Sequence, residues 1–293
     1  MAELLWEVFK ETTIDTLKVI PVLLIAYGLM EVIGHKAGER AKALVKKSGR
    51  FGPLYGAVLG TVPQCGFSAG ASGLYAGRVI TVGTLIAVFL STSDEMLPIL
   101  LSENVPIGTI GKILGLKVFF AALAGFITDF GVRLFRKRHQ KPLEEPINIH
   151  HVCEHDAAHK EEDGILKSTL LHTVKIAGFL YVISFVLTFL LDFVGEERLS
   201  ALFISTPVVA ELIAGLIGLI PNCAASVVIT QLYVEGIIGV GPMMTGLLVG
   251  AGIGILVLFK EHDNPKKNAA IVGITYFFGV LFGVILDLLK VTL

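Results

Sequence analysis

Two segments of the sequence combine a proline, a carboxamide, a cysteine and a serine at the same spacing. The two sets are Pro63, Gln64, Cys65 and Ser68 and, 158 positions later, Pro221, Asn222, Cys223 and Ser226. A proline inside a helix removes a hydrogen bond and clashes with the preceding turn, so each segment predicts a broken helix. The carbonyls freed at a break, with amide and hydroxyl oxygens, suit hard cations, and cysteine adds affinity for softer metals. The sequence therefore predicts a binding site where the two breaks face one cavity.

An acidic segment lies within an apolar stretch of spanning length. It contains Ser91, Ser93, Asp94 and Glu95, and its counterparts in the second half, 249–253, carry no charge. Ionisable groups inside a membrane helix are costly and by default mark an ion or substrate path. We predict that Asp94 faces the proline breaks and that Glu95 is a second ligand or a proton carrier. The alternative is that both acids lie among the headgroups at the outer end of the span.

The predicted substrate site combines both kinds of segment. Its residues are Gln64, Cys65, Ser68, Ser91, Ser93, Asp94, Glu95, Asn222, Cys223 and Ser226. The predicted metal ligands within that set are Gln64, Cys65, Asp94, Asn222 and Cys223. Half-helices that restart near Gly66 and Ala224 would point positive ends at the cavity, which favours an anion or requires a carboxylate beside a cation. Apart from a transported metal ion, no cofactor is expected.

A third candidate for metal binding lies between the two halves of the chain. Its imidazole and thiol groups belong to His150, His151, Cys153, His155 and His159. Three of these histidines recur every fourth residue and would share one face of a helix. Histidine-rich tracts of this kind can bind metal. A solvated linker that binds nothing in particular is the equal alternative.

Composition and hydropathy predict an all-α integral membrane protein with about ten membrane segments. Of the 293 residues 54% are hydrophobic, and several apolar runs reach the roughly 20 residues that a membrane helix needs. The predicted spans are Thr16–Ile33, Val79–Leu100, Ile110–Leu134, Thr173–Phe193, Ile237–Phe259 and Asn268–Leu289, with the proline-bearing segments Pro53–Gly77 and Val208–Glu235 between them. No nucleotide-binding loop or Ser/His/Asp constellation is present, so no ATPase or other enzyme is expected. The expected partners are the lipid bilayer and a small ion or molecule, without nucleic acid.

The two halves of the chain resemble each other in sequence. Residues 63–130 align with 221–288 without a gap, and 19 of the 68 positions are identical. Shared apolarity does not explain matches at proline, cysteine, tyrosine, glycine and aspartate, such as Asp129 with Asp287. The predicted organisation is a first membrane repeat over 1–134, a histidine-rich linker over 135–168 and a second repeat over 169–293.

The distribution of lysine and arginine predicts that the second repeat is inverted. The connector 35–50 and the start of the linker are both basic, so both are expected in the cytoplasm. An even number of crossings must separate them, which makes Pro53–Gly77 a re-entrant hairpin or two short helices. Each repeat then crosses an odd number of times, and the chain termini are predicted to lie outside. Two inverted repeats with broken hairpins place a transporter's site near the bilayer midplane.

With these residues in place, the chain resembles a prokaryotic family of ten-segment heavy-metal exporters. That family is also described as manganese transporters and is related to the ArsP-type arsenical permeases. The resemblance rests on the segments 62–68, 91–95 and 220–223 and on the histidine-rich linker, and it covers essentially the whole length. It implies efflux of a metal or metalloid across the inner membrane.

The sequence thus predicts a secondary transporter that exports a divalent metal, Mn²⁺ foremost, with proton coupling through Asp94 or Glu95. The first alternative is an arsenical permease in which Cys65 and Cys223 are the ligands. The second is a carrier of an organic anion held by the two helix N-termini, and a channel or receptor is a third class. The oligomeric state is open, with a homodimer as one option.

Overall fold

The chain folds into helices wherever its structure is described. The computed structural model describes residues 51–62, 66–93, 96–138, 165–194 and 207–291, together with helical positions between residues 6 and 28. The helices with defined bounds are α1 (Gly52–Leu59), α2 (Gly66–Ala76), α3 (Val82–Ser91), α4 (Met96–Ser102), α5 (Ile107–Arg138), α6 (Ile165–Val194), α7 (Pro207–Gly218), α8 (Cys223–Val234), α9 (Val240–Val249), α10 (Gly254–Glu261) and α11 (Pro265–Leu288).

Among the described residues, five stretches are long and apolar enough to cross a membrane. They are Val82–Ser102, Ile107–Arg138, Thr169–Val186, Val240–Glu261 and Pro265–Leu288, and α7 and α8 contribute shorter apolar helices. Phe119 and Phe130 on α5 and Phe277 on α11 are exposed large aromatic side chains. An extended apolar exterior of this kind suits lipid rather than water. The predicted all-α membrane architecture is therefore confirmed, while the count of about ten segments stays a prediction.

The helices break where the paired prolines predict. In the second half α7 ends at Gly218 and α8 begins at Cys223, so Pro221 lies in a non-helical turn. In the first half α1 ends at Leu59 and α2 begins at Gly66, while Pro63 itself lies outside the described residues. The expected restart positions of the half-helices are thus correct to within one residue.

Two predicted spans differ from the structure because each is interrupted near its middle. Val79–Leu100 is divided into α3 and α4, and Ile237–Phe259 is divided into α9 and α10. The interruptions, at 92–93 and at 250–253, begin at corresponding positions of the repeat. The expectations for Asp94 and Glu95 stay predictions, since both residues lie outside the described part of the chain.

Local hydrogen bonds and glycine conformations account for these interruptions. The Ser91 and Thr92 hydroxyls donate to the carbonyl of Val88 at 3.1 and 2.8 Å, and Thr92 leaves the helical region with ψ 128°. Such bonds offer the backbone an alternative to the helix. In the second half Gly252 has φ +53°, a conformation that glycine adopts without a Cβ penalty. Neither cause changes the hydrophobic periodicity of the sequence.

Corresponding helices pack in the same way in the two halves. Helix α1 lies on α3 and α5, as α7 lies on α9 and α11. A Cβ on Gly125 would stand 2.6 Å from the Gly83 carbonyl oxygen, and one on Gly283 would stand 2.7 Å from that of Gly241. Small residues let membrane helices approach this closely. Corresponding pairs of glycines therefore form the main helix contact in each half.

The two halves also contact each other through the helices that follow their breaks. Helix α2 packs against α10 and α4 packs against α8, so each half-helix after a break is held by the other half. Phe120 of α5 stacks on Phe282 of α11 with ring centroids 4.4 Å apart. This arrangement brings the breaks of both halves toward one region.

Candidate functional site

Within each half, the proline break lies against the interruption of the next helix pair. A Cβ on Gly60 would stand 2.8 Å from the Val88 carbonyl oxygen and would overlap the Ser91 hydroxyl. In the second half, a Cβ on Gly218 would stand 3.2 Å from the Cα of Gly246 and would overlap its carbonyl oxygen. Glycine is required at both positions because the two backbones touch. The two interruptions of each half are thus neighbours.

Between the halves, the start of α2 touches the interruption that precedes α10. A Cβ on Gly254 would stand 2.7 Å from the Ser68 Cβ and 2.9 Å from its carbonyl oxygen. The Ser72 hydroxyl donates to the Gly254 carbonyl at 2.7 Å and lies 3.0 Å from that of Ser68. Direct contacts thus join the end of the first-half proline break to an interruption of the second half.

A buried lysine lies at the crossing of the two halves. Lys117 of α5 has no exposed surface, and its Nζ donates to the carbonyls of Thr92 and, at 2.9 Å, Leu247. Both carbonyls are freed by the interruptions, since the Ala251 amide bonds to Val249 rather than to Leu247. A cation at two helix C-termini satisfies orphan carbonyls and the helix dipoles. Lys117 is therefore held by one backbone oxygen from each half.

Lys117 was not among the predicted site residues, although the sequence contained a signal for it. Its counterpart in the second half is Thr275, so the charge breaks the repeat as Asp94 and Glu95 do. A lysine buried in a membrane protein is costly and marks a functional path by default. The sequence does not show the helix packing that brings the Lys117 side chain to Thr92 and Leu247.

The predicted serines of the first half lie in the site region, and the hydroxyls of Ser91 and Ser93 are directed at the main chain. Ser68 is fully buried against Gly254. The Ser93 hydroxyl, also buried, donates to the Ser91 carbonyl at 3.0 Å. The Ser91 hydroxyl lies 3.5 Å from the Gly56 carbonyl as well as donating to its own helix. These serines support the interruption between α3 and α4.

The second proline break is attached to helix α6. Asn222 is buried, and its amide nitrogen donates to the Thr188 hydroxyl at 2.7 Å. Ser226 is half-buried, and its carbonyl accepts a 2.7 Å bond from Thr230, as the Ser68 carbonyl accepts from Ser72. The break therefore has a fixed position relative to α6, and the serine carbonyls behave alike in both halves.

The remaining predicted ligands lie outside the described residues. They are Gln64, Cys65, Asp94 and Glu95, the side chain of Cys223, and His150, His151, Cys153, His155 and His159 of the linker. Within the part of the chain that is described, no group of three or more His, Cys, Asp and Glu side chains forms a metal cluster. The predicted metal set therefore stays a prediction, with Asp94 directly following buried Ser93 in the chain.

Comparison of the chain with protein-family models, with curated proteins and with solved structures finds no match in any of the three. The resemblance to heavy-metal exporters accordingly stays a prediction, and the site itself must carry the functional argument.

Proposed function

We propose that this protein is a secondary transporter that moves a small ion through the region where the helix interruptions meet. The observation that carries this proposal is Lys117, buried and held by one freed carbonyl from each half. Broken helices at membrane depth persist only where they are buried in protein or line a polar cavity. Breaks at corresponding places in two halves are the usual position of a transporter's site.

The proposed architecture is a pair of inverted repeats with about ten membrane segments. It is supported by the 158-residue offset that relates α3 to α9 and by the equal packing of corresponding helices. We place the protein in the inner membrane of a prokaryote, with both termini outside and the linker in the cytoplasm. Movement of one repeat against the other would then expose the site to each side in turn.

The proposed cargo is a divalent metal cation, with Mn²⁺ foremost, moved outward. The Thr92 and Leu247 carbonyls already converge on a positive charge, so their lone pairs are directed as a metal would need. Asp94 and Glu95 follow at once in the chain and would supply the negative charge. Oxygen ligands of this kind suit Mn²⁺. In the absence of cargo Lys117 would occupy the carbonyls, and an arriving metal would displace it.

An organic or inorganic anion is the second candidate cargo, and the same lysine favours it. The ammonium of Lys117 would add to the positive helix ends at Gly66 and Cys223. The two candidates make opposite demands on Lys117. A metal competes with its charge, whereas an anion depends on it.

Substitution of Lys117 separates the two candidates. We suggest measuring binding of Mn²⁺, arsenite and a dicarboxylate to the purified protein, and their uptake into inside-out vesicles. Lys117→Met should retain or tighten Mn²⁺ binding because a competing charge is removed. The matched control is Lys112→Met, an exposed lysine on the same helix, which should leave binding unchanged.

The outcomes are distinct. Loss of dicarboxylate binding in Lys117→Met, with no Mn²⁺ binding to the wild type, would establish the anion carrier. Arsenite uptake that disappears when Cys65 and Cys223 are both replaced by serine would establish the arsenical permease. No uptake of any of the three compounds would contradict the proposed transport function.

A further inference from the structure

Two equivalent aspartates have different surroundings in the two halves. Asp129 of α5 accepts a 2.7 Å bond from the Thr81 hydroxyl and a 2.8 Å bond from the Gly83 amide, and so caps α3. Asp287 of α11 is its counterpart beside α9, where Gly239 replaces Thr81 and offers no hydroxyl. The carboxylate of the second half therefore lacks the side-chain donor that stabilises the first.

A second carboxyl group takes the place of that donor. Glu211 of α7, whose counterpart is Pro53, is only 1% exposed. Neither of its carboxylate oxygens has a hydrogen-bond partner among the residues that the structure describes. Glu211 Oε1 and Asp287 Oδ1 lie 2.8 and 2.7 Å from the point where a Cβ on Gly241 would stand. Both carboxylates thus lie against the backbone of Gly241, which has no side chain to separate them.

No described side chain offsets the charge of this pair. Helix α9 carries no titratable group. On α11, besides Asp287, the Tyr276 hydroxyl donates to the Leu212 carbonyl at 3.1 Å, while Lys266 and Lys267 are exposed at the far end. Lys290 is exposed beyond α11, and α8, which also contacts α7, contributes Tyr233 and is followed by exposed Glu235.

Glu211 is buried and Asp287 is half-buried beside it, so the two carboxyl groups face each other with little water on the side of Glu211. A proton shared between two carboxyl groups also satisfies oxygens that otherwise have no partner. The geometry therefore provides a place for one proton.

We infer that Glu211 and Asp287 form a proton-binding acid pair that carries the coupling proton of the transporter, an inference that rests on the proposed function. Helix α7 connects the pair to the site, because Glu211 stands about 10 Å of helix before Gly218 at the proline break. With the proton bound, the acids hold α7 against α9 and α11. When the proton leaves, their repulsion pushes α7 away and moves the break.

The proton step is a simple dissociation. The O–H bond of the neutral carboxyl breaks, its electron pair stays on that oxygen, and water accepts the proton. No electron changes hands, and no further reactant is required.

Infrared difference spectroscopy tests the pair without any cargo. Purified wild-type protein in lipid nanodiscs should show the carbonyl-stretch band of a neutral carboxylic acid that disappears as the pH rises. Glu211→Gln should remove this band, whereas Asp287→Asn should keep it and change the pH at which it disappears, because Glu211 stays buried without its neighbouring carboxyl group. The matched control is Asp129→Asn, which replaces the capped counterpart and should retain the band.

Two further measurements keep the result decisive. Thermal melting of each variant shows whether it is folded, and Glu211→Asp should restore the band. In vesicles, a pH gradient should accelerate wild-type uptake about tenfold, as is typical of coupled sites, and this acceleration should vanish in Glu211→Gln.

A band that persists in Glu211→Gln, or one that disappears at the same pH in Asp287→Asn as in the wild type, overturns the acid pair. That result leaves cargo transport untouched. Conversely, a pair that titrates as expected in a protein that carries no cargo would overturn the transport proposal alone.

Discussion

The two halves of the molecule have the same helices and the same close contacts, yet they carry different charges. The first half carries Lys117, the capped Asp129 and the acidic segment with Asp94 and Glu95. The second half carries Glu211 beside Asp287 and is uncharged at 249–253. Because packing is repeated while charge is not, packing defines the scaffold and the asymmetric charges define what each half does.

On the basis of the same comparison, we propose a different function for each half. Lys117 of the first half lies at the interruption after α3, where we propose that the cargo binds. The acids of the second half lie near the other end of α7, where we propose that a proton binds. A coupled transporter needs two linked sites, because coupling is a free energy shared between distinct binding events. The duplicated scaffold offers one position for each.

The largest effect is expected from Asp94→Asn. If the first half holds the cargo, removing a charged ligand from a buried site should cost about 3 kcal/mol or more, a hundredfold loss of affinity. Isothermal titration with Mn²⁺ measures this directly. Asp263→Asn, at an exposed position, is the control and should bind like the wild type. Undiminished Mn²⁺ binding in Asp94→Asn would remove the proposed difference between the halves.

The next effect concerns the contact between the halves. A Cβ on Gly254, the first residue of α10, would stand 2.9 Å from the Ser68 backbone, while the counterpart position holds Met96 with a long side chain. Gly254→Ala should therefore destabilise the protein by about 1–3 kcal/mol, the cost of overpacking a close contact. Gly273→Ala has nothing within 4 Å and should be neutral or slightly stabilising. Equal melting temperatures for the two variants would show that the contact is not tight.

A smaller effect is expected where α6 holds the second proline break. Thr188→Val removes the hydroxyl that accepts from Asn222 and keeps the shape of the side chain. The loss of one hydrogen bond between helices should cost about 1 kcal/mol. Thr128→Val removes only a bond to Ala124 within the same helix and should cost less. Chemical denaturation in detergent compares the two, and a greater loss in Thr128→Val would contradict the assignment.

The smallest effect would make the second half resemble the first. Gly239 has φ −78°, which threonine adopts, and Asp287 Oδ1 lies 3.8 Å from the position of its Cβ. Gly239→Thr should add a side-chain helix cap and stabilise the protein by a few tenths of a kcal/mol. A hydroxyl donor to Asp287 should also compete with the proton that we propose it shares with Glu211. The infrared band assigned to the acid pair should therefore change in Gly239→Thr, and an unchanged band together with unchanged stability would show that no bond forms.

Much of this organisation was available from local chemistry. The prolines at 63 and 221 predicted broken helices because proline cannot continue a helical ladder, whatever surrounds it. The apolar runs predicted membrane helices because length and composition suffice for that decision. The sequence did not predict the interruptions at 92–93 and 250–253, because a hydroxyl bonded to the preceding turn and a glycine with positive φ leave the apolar pattern intact.

The sequence by itself determined the helical class, the duplication and the proline breaks, since each depends on neighbours along the chain. Only the tertiary structure decided that Lys117 and Glu211 are buried and which residues surround them. What a charged side chain can do depends on the residues that pack against it. Lys117 contacts Leu247, which is 130 residues away in the chain. The residues around Glu211 lie on other helices of the second half. Burial and partnership are properties of the folded chain, because the residues that enclose a side chain are brought to it only by folding.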